Sequence, residues 1–230
     1  MMDLQTPITI NTEDTFKTIF SKYGAYALDK QDNLANAIGE LEGDLDIDEG
    51  TLAFNNDLKF DIQILGFYSE EFNQWSWAWD NENIGFNEDL ILSSEKIKEI
   101  GDEFEIKEFS TPVFEIDFDE CHAMIMIASS LLDDSGYYVA DVDDLKIFLS
   151  INSDKVKEDN SSEKFRLIFN SFQKNYDVYT KLAFEGYTKL KGYDFKERDD
   201  FSLAKIGEDR VIASFSERGK LMGIQLLTAD

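Results

Sequence analysis

Residues 74–79 read QWSWAW, and the three tryptophans of the chain, Trp75, Trp77 and Trp79, all fall in this stretch at a spacing of two. Two is the side-chain period of a β-strand, so in extended conformation the three indoles share one face while Ser76 and Ala78 share the other. Each indole carries up to about 150–250 Å² of largely apolar surface, too much to leave three of them in water. The stretch therefore demands a sheet with a covering layer, and the small residues leave room for a second layer close behind. Two readings follow. In the first the indoles are core packing under a helix. In the second, Trp75, Trp77, Trp79 and Asp80 line a concave aromatic groove for a small ligand, with Glu70, Glu71, Asn81 and Asn83 on its rim.

The flanking sequence supplies both sheet and helices. Phe16, Ile19, Phe20, Tyr23, Ala27 and Leu34 recur at three- and four-residue steps, predicting a helix that Asn11 or Thr12 caps and Gly39 or Gly43 stops. TLAF (51–54) and LKFDIQILGF (58–67) read as strands around an NND turn, with Leu58, Phe60, Ile62 and Ile64 on one face. Residues 85–106 return to a helical period, with Asn87 as its cap. TPVFEIDF alternates again, and DECHAMIMIASSLLDDSG reads as a buried helix capped by Asp119 and closed by Gly136. YYVADVDDLKIFLSI supplies one or two strands. The polar NSDKVKEDNSS (152–162) reads as a linker. After it come one long helix over 163–190, with Phe165, Phe169, Phe172, Tyr176, Tyr179 and Leu182 along one side, and a hairpin turning at Arg218-Gly219. The expected fold is α+β: an antiparallel sheet packed with helices, divided into an acidic domain over 1–151 and a helix–hairpin unit over 152–230.

Charge narrows the function. The chain carries 48 Asp and Glu against 22 Lys and Arg, a net of −26. Residues 1–150 hold 34 acidic and 8 basic side chains, whereas 151–230 hold 14 of each, so the whole excess lies in the first two thirds. Such a field repels nucleic acid and anionic membrane surfaces and attracts basic partners. Acidity also aids solubility; the segregation is what points to a partner. The single cysteine, Cys121, excludes an intrachain disulfide. The opening MMDLQTPITINTED has neither a basic region nor an apolar core of a signal peptide, and no apolar run approaches the roughly 20 residues that span a bilayer. A soluble cytoplasmic protein is expected.

Catalytic and metal signatures are weak. DLDIDEG sets Asp44, Asp46 and Asp48 at the spacing of an EF-hand loop, but Glu49 stands where that loop needs glycine and Asn55 where it needs a bidentate Glu. An edge strand with the acids outward and Leu45 and Ile47 inward fits better. His122, the only histidine, follows Cys121; neighbours on a helix diverge by about 100°, which argues against a nucleophile–base pair. Zinc would need further His or Cys ligands that the chain lacks. The sequence holds no phosphate loop, dinucleotide turn, nucleophile elbow or His-Glu-x-x-His. No cofactor and no metal are expected.

LGFYSEEFNQWSWAWDNEN, followed by a helical stretch and then TPVFEID, HAMIMIAS and GYYV, resembles an uncharacterised bacterial domain family. Its members carry a Leu-Gly pair before a Trp-x-Trp-Ala-Trp strand, then a helix, an acidic stretch with His before an Ala/Met-rich helix, and a Tyr-Tyr strand. KYGAYALDKQ near the start fits the same pattern, so the resemblance covers about residues 16–151. Where the family has WAWAN this chain has WAWDN, and Asp80 puts an extra acid beside the tryptophans. The family brings no activity or ligand with it, so the resemblance implies the domain and nothing about chemistry.

The expected function is non-enzymatic: an acidic binding protein for a basic protein partner, most concretely an immunity-type inhibitor of a bacterial toxin, which needs no catalytic residues and gains association rate from opposite charge. Its surface would draw on acids in turns and strand ends: Asp44, Asp46, Asp48, Glu49, Asp133, Asp134, Asp141, Asp143 and Asp144. The alternatives are a small-ligand binder using the aromatic strand and a hydrolase working with two buried carboxylates in one cleft.

Overall fold

One eleven-residue strand, Lys59–Ser69, organises the larger half of the molecule. The computed structural model describes residues 8–54, 58–80 and 85–229, and the chain divides into two compact units, Lys30–Lys157 and Met1–Asp29 with Glu158–Asp230. In the first unit the strands are β1 (Asp44–Asp46), β2 (Thr51–Ala53), β3 (Lys59–Ser69), β4 (Gln74–Trp77), β5 (Val113–Glu115), β6 (Gly136–Val142) and β7 (Leu145–Ile151). They form one antiparallel sheet in which β3 pairs with β2, β4 and β7, β5 extends it beyond β4, and β6 extends it beyond β7. The helices are α1 (Phe16–Ile38), of which residues 30–38 belong here, α2 (Leu92–Phe104), α3 (Lys107–Ser110) and α4 (Phe118–Leu131). The fold class is α+β.

Both faces of β3 are covered. Phe60, Ile62 and Ile64 alternate into one core cluster, as their spacing predicts. The pairing with β7 then shifts register between Ile64 and Gly66. An extra residue reverses the parity of a strand, so Phe67 rejoins the face of Ile64. On the opposite face lie Trp75 and Trp77, each fully buried. Their rings meet edge to face at 5.0 Å; Trp75 packs on Phe148 of β7 at 5.2 Å and Trp77 on Phe109 of α3 at 5.9 Å. The Trp77 Nε1–H donates to the Glu108 carbonyl at 2.8 Å, which satisfies its one polar atom. Gly66 makes the approach possible: a Cβ there would collide with the Trp75 indole and lie 2.5 Å from the Ser76 carbonyl. Ala78 belongs to the cluster behind the sheet, so a second layer does lie close on the small-residue side.

Trp79 does not share the strand. β4 ends at Trp77, the Asp80 N–H donates back to the Trp77 carbonyl at 3.1 Å, and Trp79 is half-buried in the turn beneath the Lys98 ammonium. Local ends also differ from expectation. Thr15, not Asn11 or Thr12, caps α1 by accepting from the Thr18 N–H, while Gly39 does stop the helix in left-handed conformation. Asn87 caps a short 3-10 turn, Glu88–Leu90, ahead of α2. Asp117 rather than Asp119 precedes α4, and Gly136 opens β6 instead of closing the helix. The expected NND turn at 55–57 lies outside the described residues.

The other unit combines residues 16–29 of α1 with α5 (Ser162–Asn175), α6 (Thr180–Leu190) and a four-stranded antiparallel meander: β8 (Asp194–Glu197), β9 (Phe201–Ile206), β10 (Asp209–Phe215) and β11 (Leu221–Leu227). The single helix predicted over 163–190 is two helices. Tyr176 takes an extended conformation and the Tyr179 N–H donates to Ser21 Oγ of α1 at 2.9 Å, which ends one helix and starts the next. The predicted hairpin is present, but β8 and β9 widen it into a sheet on which α5 (against β10 and β11) and α6 (against β8 and β9) pack. Phe165 stacks on Tyr187 at 4.2 Å and Phe169 meets Phe184 at 5.0 Å. Of the residues assigned by sequence to the acidic domain, 8–29 group with this unit. Of the predicted linker, residues 152–157 stay with the first unit, where Val156 is buried and Ser153 exchanges hydrogen bonds with Ser135.

The two buried indoles are thus predicted to be structural. Trp77→Ala should destabilise the protein by about 3–5 kcal/mol, as a large core deletion does, and Trp79→Ala by clearly less. Urea unfolding followed by circular dichroism checks this; equal costs for the two variants would contradict the burial pattern.

Candidate functional site

The β6–β7 hairpin turns on two residues, Asp143 and Asp144, between the paired Val142 and Leu145. Asp143 takes a left-handed φ of 53°, which Asp tolerates better than most side chains. Strand alternation then sorts the flanking residues. Val142 and Leu145 face one side at the tip, 36% and 42% exposed, with Ile147 further along and Phe67 beside it on β3. Phe86 stacks on Phe67 at 5.5 Å and closes an apolar groove of about 420 Å³. Asp141 and Lys146 face the other side, where Glu70 and Glu71 complete an acidic hollow of about 250 Å³. The turn acids Asp143 and Asp144 border both.

Five carboxylates therefore surround one ammonium. Lys146 Nζ pairs with Asp141 at 2.6 Å and Glu70 at 3.2 Å and lies over the Phe118 ring. The hydrogen bond that Lys146 donates to Asp141 holds the lysine pKa above its ordinary value, so the lysine stays charged and the local excess is four negative charges. The arrangement can accept a cationic side chain beside an apolar one.

The remaining sequence-predicted residues lie elsewhere. Asp44, Asp46, Asp48 and Glu49 sit exposed on the β1–β2 hairpin, with Leu45 and Ile47 turned inward, the edge-strand arrangement expected. Asp133 is exposed and paired with Lys30 at 2.5 Å. Asp134, only 3% exposed, offers no surface to a partner. Trp75 and Trp77 present none to a ligand; Trp79 is half-buried and Asp80 exposed, and the rim residues Asn81 and Asn83 lie outside the described residues. Sequence reasoning missed Phe67, Phe86, Val142 and Leu145. The two-residue turn between alternating strands would have marked Val142 and Leu145 as facing neighbours; nothing local marks the two phenylalanines.

Reactive groups are muted. Burial pushes the Cys121 thiol up, away from thiolate chemistry. His122 Nδ1 lies 2.8 Å from the Tyr137 hydroxyl and its ring meets Phe118 edge-on, with burial lowering its pKa. One carboxyl is strongly perturbed: burial pushes Asp134 up to about 7, against the opposing pull of a Ser150 hydrogen bond and of Lys30 and Lys96. The other carboxylate in its cavity, Asp61, is exposed, so this is not a pair of buried acids. Among the described residues no group of three or more His, Cys, Asp or Glu is placed to hold a metal, and no helix is long and apolar enough to cross a membrane.

Sheet, covering helices and acid-rimmed groove define an acidic α+β domain. The chain belongs to a family of unknown function, DUF6882, whose model matches residues 17–154. That span takes in α1 from its second residue and nearly all of the Lys30–Lys157 unit. No curated protein and no solved structure matches the chain.

Asp134 makes a prediction for stability. Its folded pKa lies above the unfolded value of about 3.9, so between the two the folded state binds the extra proton. Its contribution to stability is full below about pH 4 and is lost as pH rises through 7, by up to about 1.4 kcal/mol per unit. Asp134→Asn should flatten the urea-unfolding free energy over that window and be the more stable form at pH 8; parallel pH profiles would contradict the assignment.

Proposed function

We propose that this protein is a non-enzymatic acidic binding protein for a basic protein partner, engaged at the β6–β7 tip by a segment that sets an apolar side chain among lysines and arginines. The observation that carries this reading is the juxtaposition of an open apolar groove with five carboxylates around a single lysine. The wider charge distribution supports it. Residues 30–157 hold 31 acidic and 8 basic side chains, a net of −23, whereas the rest of the chain holds 17 and 14, a net of −3. Charge complementarity of this kind steers encounter and selects partners, while a desolvated apolar contact slows departure. The most concrete form is an immunity-type inhibitor that neutralises a basic toxin in the cytoplasm.

The two contributions separate kinetically. With the partner captured by pull-down and then purified, replacing Asp141, Asp143 and Asp144 together by Asn should slow association by on the order of ten-fold at low salt and little at high salt, because exposed charges are screened over about 8–10 Å. Leu145→Ser should instead speed dissociation. An association rate indifferent both to salt and to the triple substitution would reduce the acidity to an aid to solubility and remove the proposal's main support.

A further inference from the structure

The four-stranded sheet of the second unit has two unlike edges. β8 (Asp194–Glu197) is four residues long and Asp194, Lys196 and Glu197 are charged, which blunts an edge against stray pairing. β11 (Leu221–Leu227) is seven residues long, LMGIQLL, with no charge and no proline. We propose that β11 is the contact between two copies of this chain, which pair antiparallel about a two-fold axis and join their two sheets into one. The surface lies outside the acid-rimmed groove, and the proposal does not rest on the partner reading.

Hydrogen-bond parity shows which groups β11 leaves open. Ile206 and Asp209 face each other across the two-residue β9–β10 turn, so Asp209, Val211 and Ala213 exchange main-chain bonds with β9. The Phe215 N–H, which donates to the Asp200 carbonyl at 2.8 Å, keeps the same parity. Arg210, Ile212 and Ser214 are left to bond β11, where they face Leu227, Gln225 and Gly223. The N–H and C=O of Ile224 and Leu226 therefore point away from the sheet, and among the described residues nothing meets them.

The side chains fit a two-fold through Gln225. Setting Gln225 opposite its own counterpart brings Ile224 of each copy opposite Leu226 of the other, so the open N–H and C=O groups of both residues find partners. On the helix side Ile224 and Leu226 are only half-buried, although their β10 neighbours Ala213 and Val211 are fully buried. The new cross-strand pairs complete that row beside α5. On the outer face Leu227, 48% exposed, comes opposite Gly223, where a Cβ would meet nothing within 4 Å. The leucine of each copy thus fills the gap at the glycine of the other. Gln225, exposed on the axis, can exchange amide hydrogen bonds with its counterpart. Charge points the same way. An uncharged edge offers nothing to select an acidic or a basic ligand, and this unit carries a net of −3 against −23 for residues 30–157, so two copies meet here with least repulsion. Screening the remaining repulsion should tighten the pair as salt rises, the reverse of a charge-steered partner.

The test is sedimentation of the full chain over a dilution series. The mass should rise towards twice the 26.4 kDa of one chain as the concentration approaches about 0.5 mM, where small interfaces become populated, and the dimer should tighten with salt. Gln225→Lys changes an exposed side chain and sets like charges opposite each other on the axis; it should weaken the dimer by about five-fold. Ile224→Pro removes an outward N–H at an edge position that admits proline and, checked for folding by circular dichroism, should abolish the dimer. Gln225→Cys, oxidised with copper phenanthroline, should give a disulfide-linked dimer well ahead of Glu208→Cys in the exposed β9–β10 turn, with the native Cys121 buried and silent. The triple Asn variant at 141, 143 and 144 should dimerise at least as tightly as the parent. A single-chain mass throughout, a dimer that loosens with salt, Gln225→Lys dimerising like the parent, or equal cross-linking at the two cysteines would overturn the proposal. None of these results bears on partner binding at the groove, whose own test uses different residues.

Discussion

A strand buried on both faces has to present apolar side chains at both parities, and β3 does this by a bulge. Phe60, Ile62 and Ile64 look into one cluster; the register shift before Gly66 brings Phe67 to that same side. Tyr68, Trp75 and Trp77 then stand on the other side under Phe109 and Phe118. Nearly everything else in the unit is arranged around this exchange. Gly66 has no side chain because Trp75 occupies that space. β7 is buried along most of its length because it lies beside β3, and β6 hangs on β7. The acid-rimmed groove exists because Phe67, after the bulge, reaches the level of the β6–β7 tip.

Local periodicity made much of this legible and long-range pairing hid the rest. Alternation at QWSWAW fixed the strand and its buried face, but not the turn that takes Trp79 out of it, because Trp79 keeps the spacing of a strand after the backbone has left the ladder. The helical period likewise runs through Phe172, Tyr176 and Tyr179, although Tyr176 is extended and two helices result. β9 escaped notice for the opposite reason. Its buried positions are Ser202, Ala204 and Ile206, two of them too small to register as an apolar stripe. The candidate site was half visible: Asp141, Asp143 and Asp144 stood out as turn acids, while Phe67 and Phe86 join them only through the pairing of β3 with β7. Asp134 read as one acid among many, since it is buried among residues distant in the chain, such as Ile62, Gln63 and Ser150.

The acids divide by environment more than by number. Those on the β1–β2 hairpin are solvated on an edge strand whose apolar residues face in, an arrangement that also guards a sheet edge against pairing with another chain. Asp133 is tied to Lys30. At the opposite extreme Asp134 is buried with one oxygen unmet. In the second unit Asp29 is also buried, but two lysines face it, Lys191 at 2.9 Å and Lys164 at 3.6 Å. A buried charge that a fold needs for itself is provided with such counter-charges. Asp134 too feels two lysines, Lys30 and Lys96, but burial outweighs their pull and holds its carboxyl pKa up at about 7.

The tip of the β6–β7 hairpin is built against its own stability. Adjacent carboxylates at Asp143 and Asp144 repel, and Asp141, Glu70 and Glu71 add to the same field. A left-handed φ at Asp143 is more costly for Asp than for the glycine that commonly fills such turns. Val142 and Leu145 leave apolar surface in water beside these charges. Each feature could be relieved by one substitution, glycine or asparagine in the turn or threonine on the strand, without disturbing the pairing of β6 with β7. Lys146 relieves only two of the five acids. A hairpin needed solely to extend the sheet has no use for any of these strains; one whose tip meets a cationic, partly apolar surface has use for all of them at once.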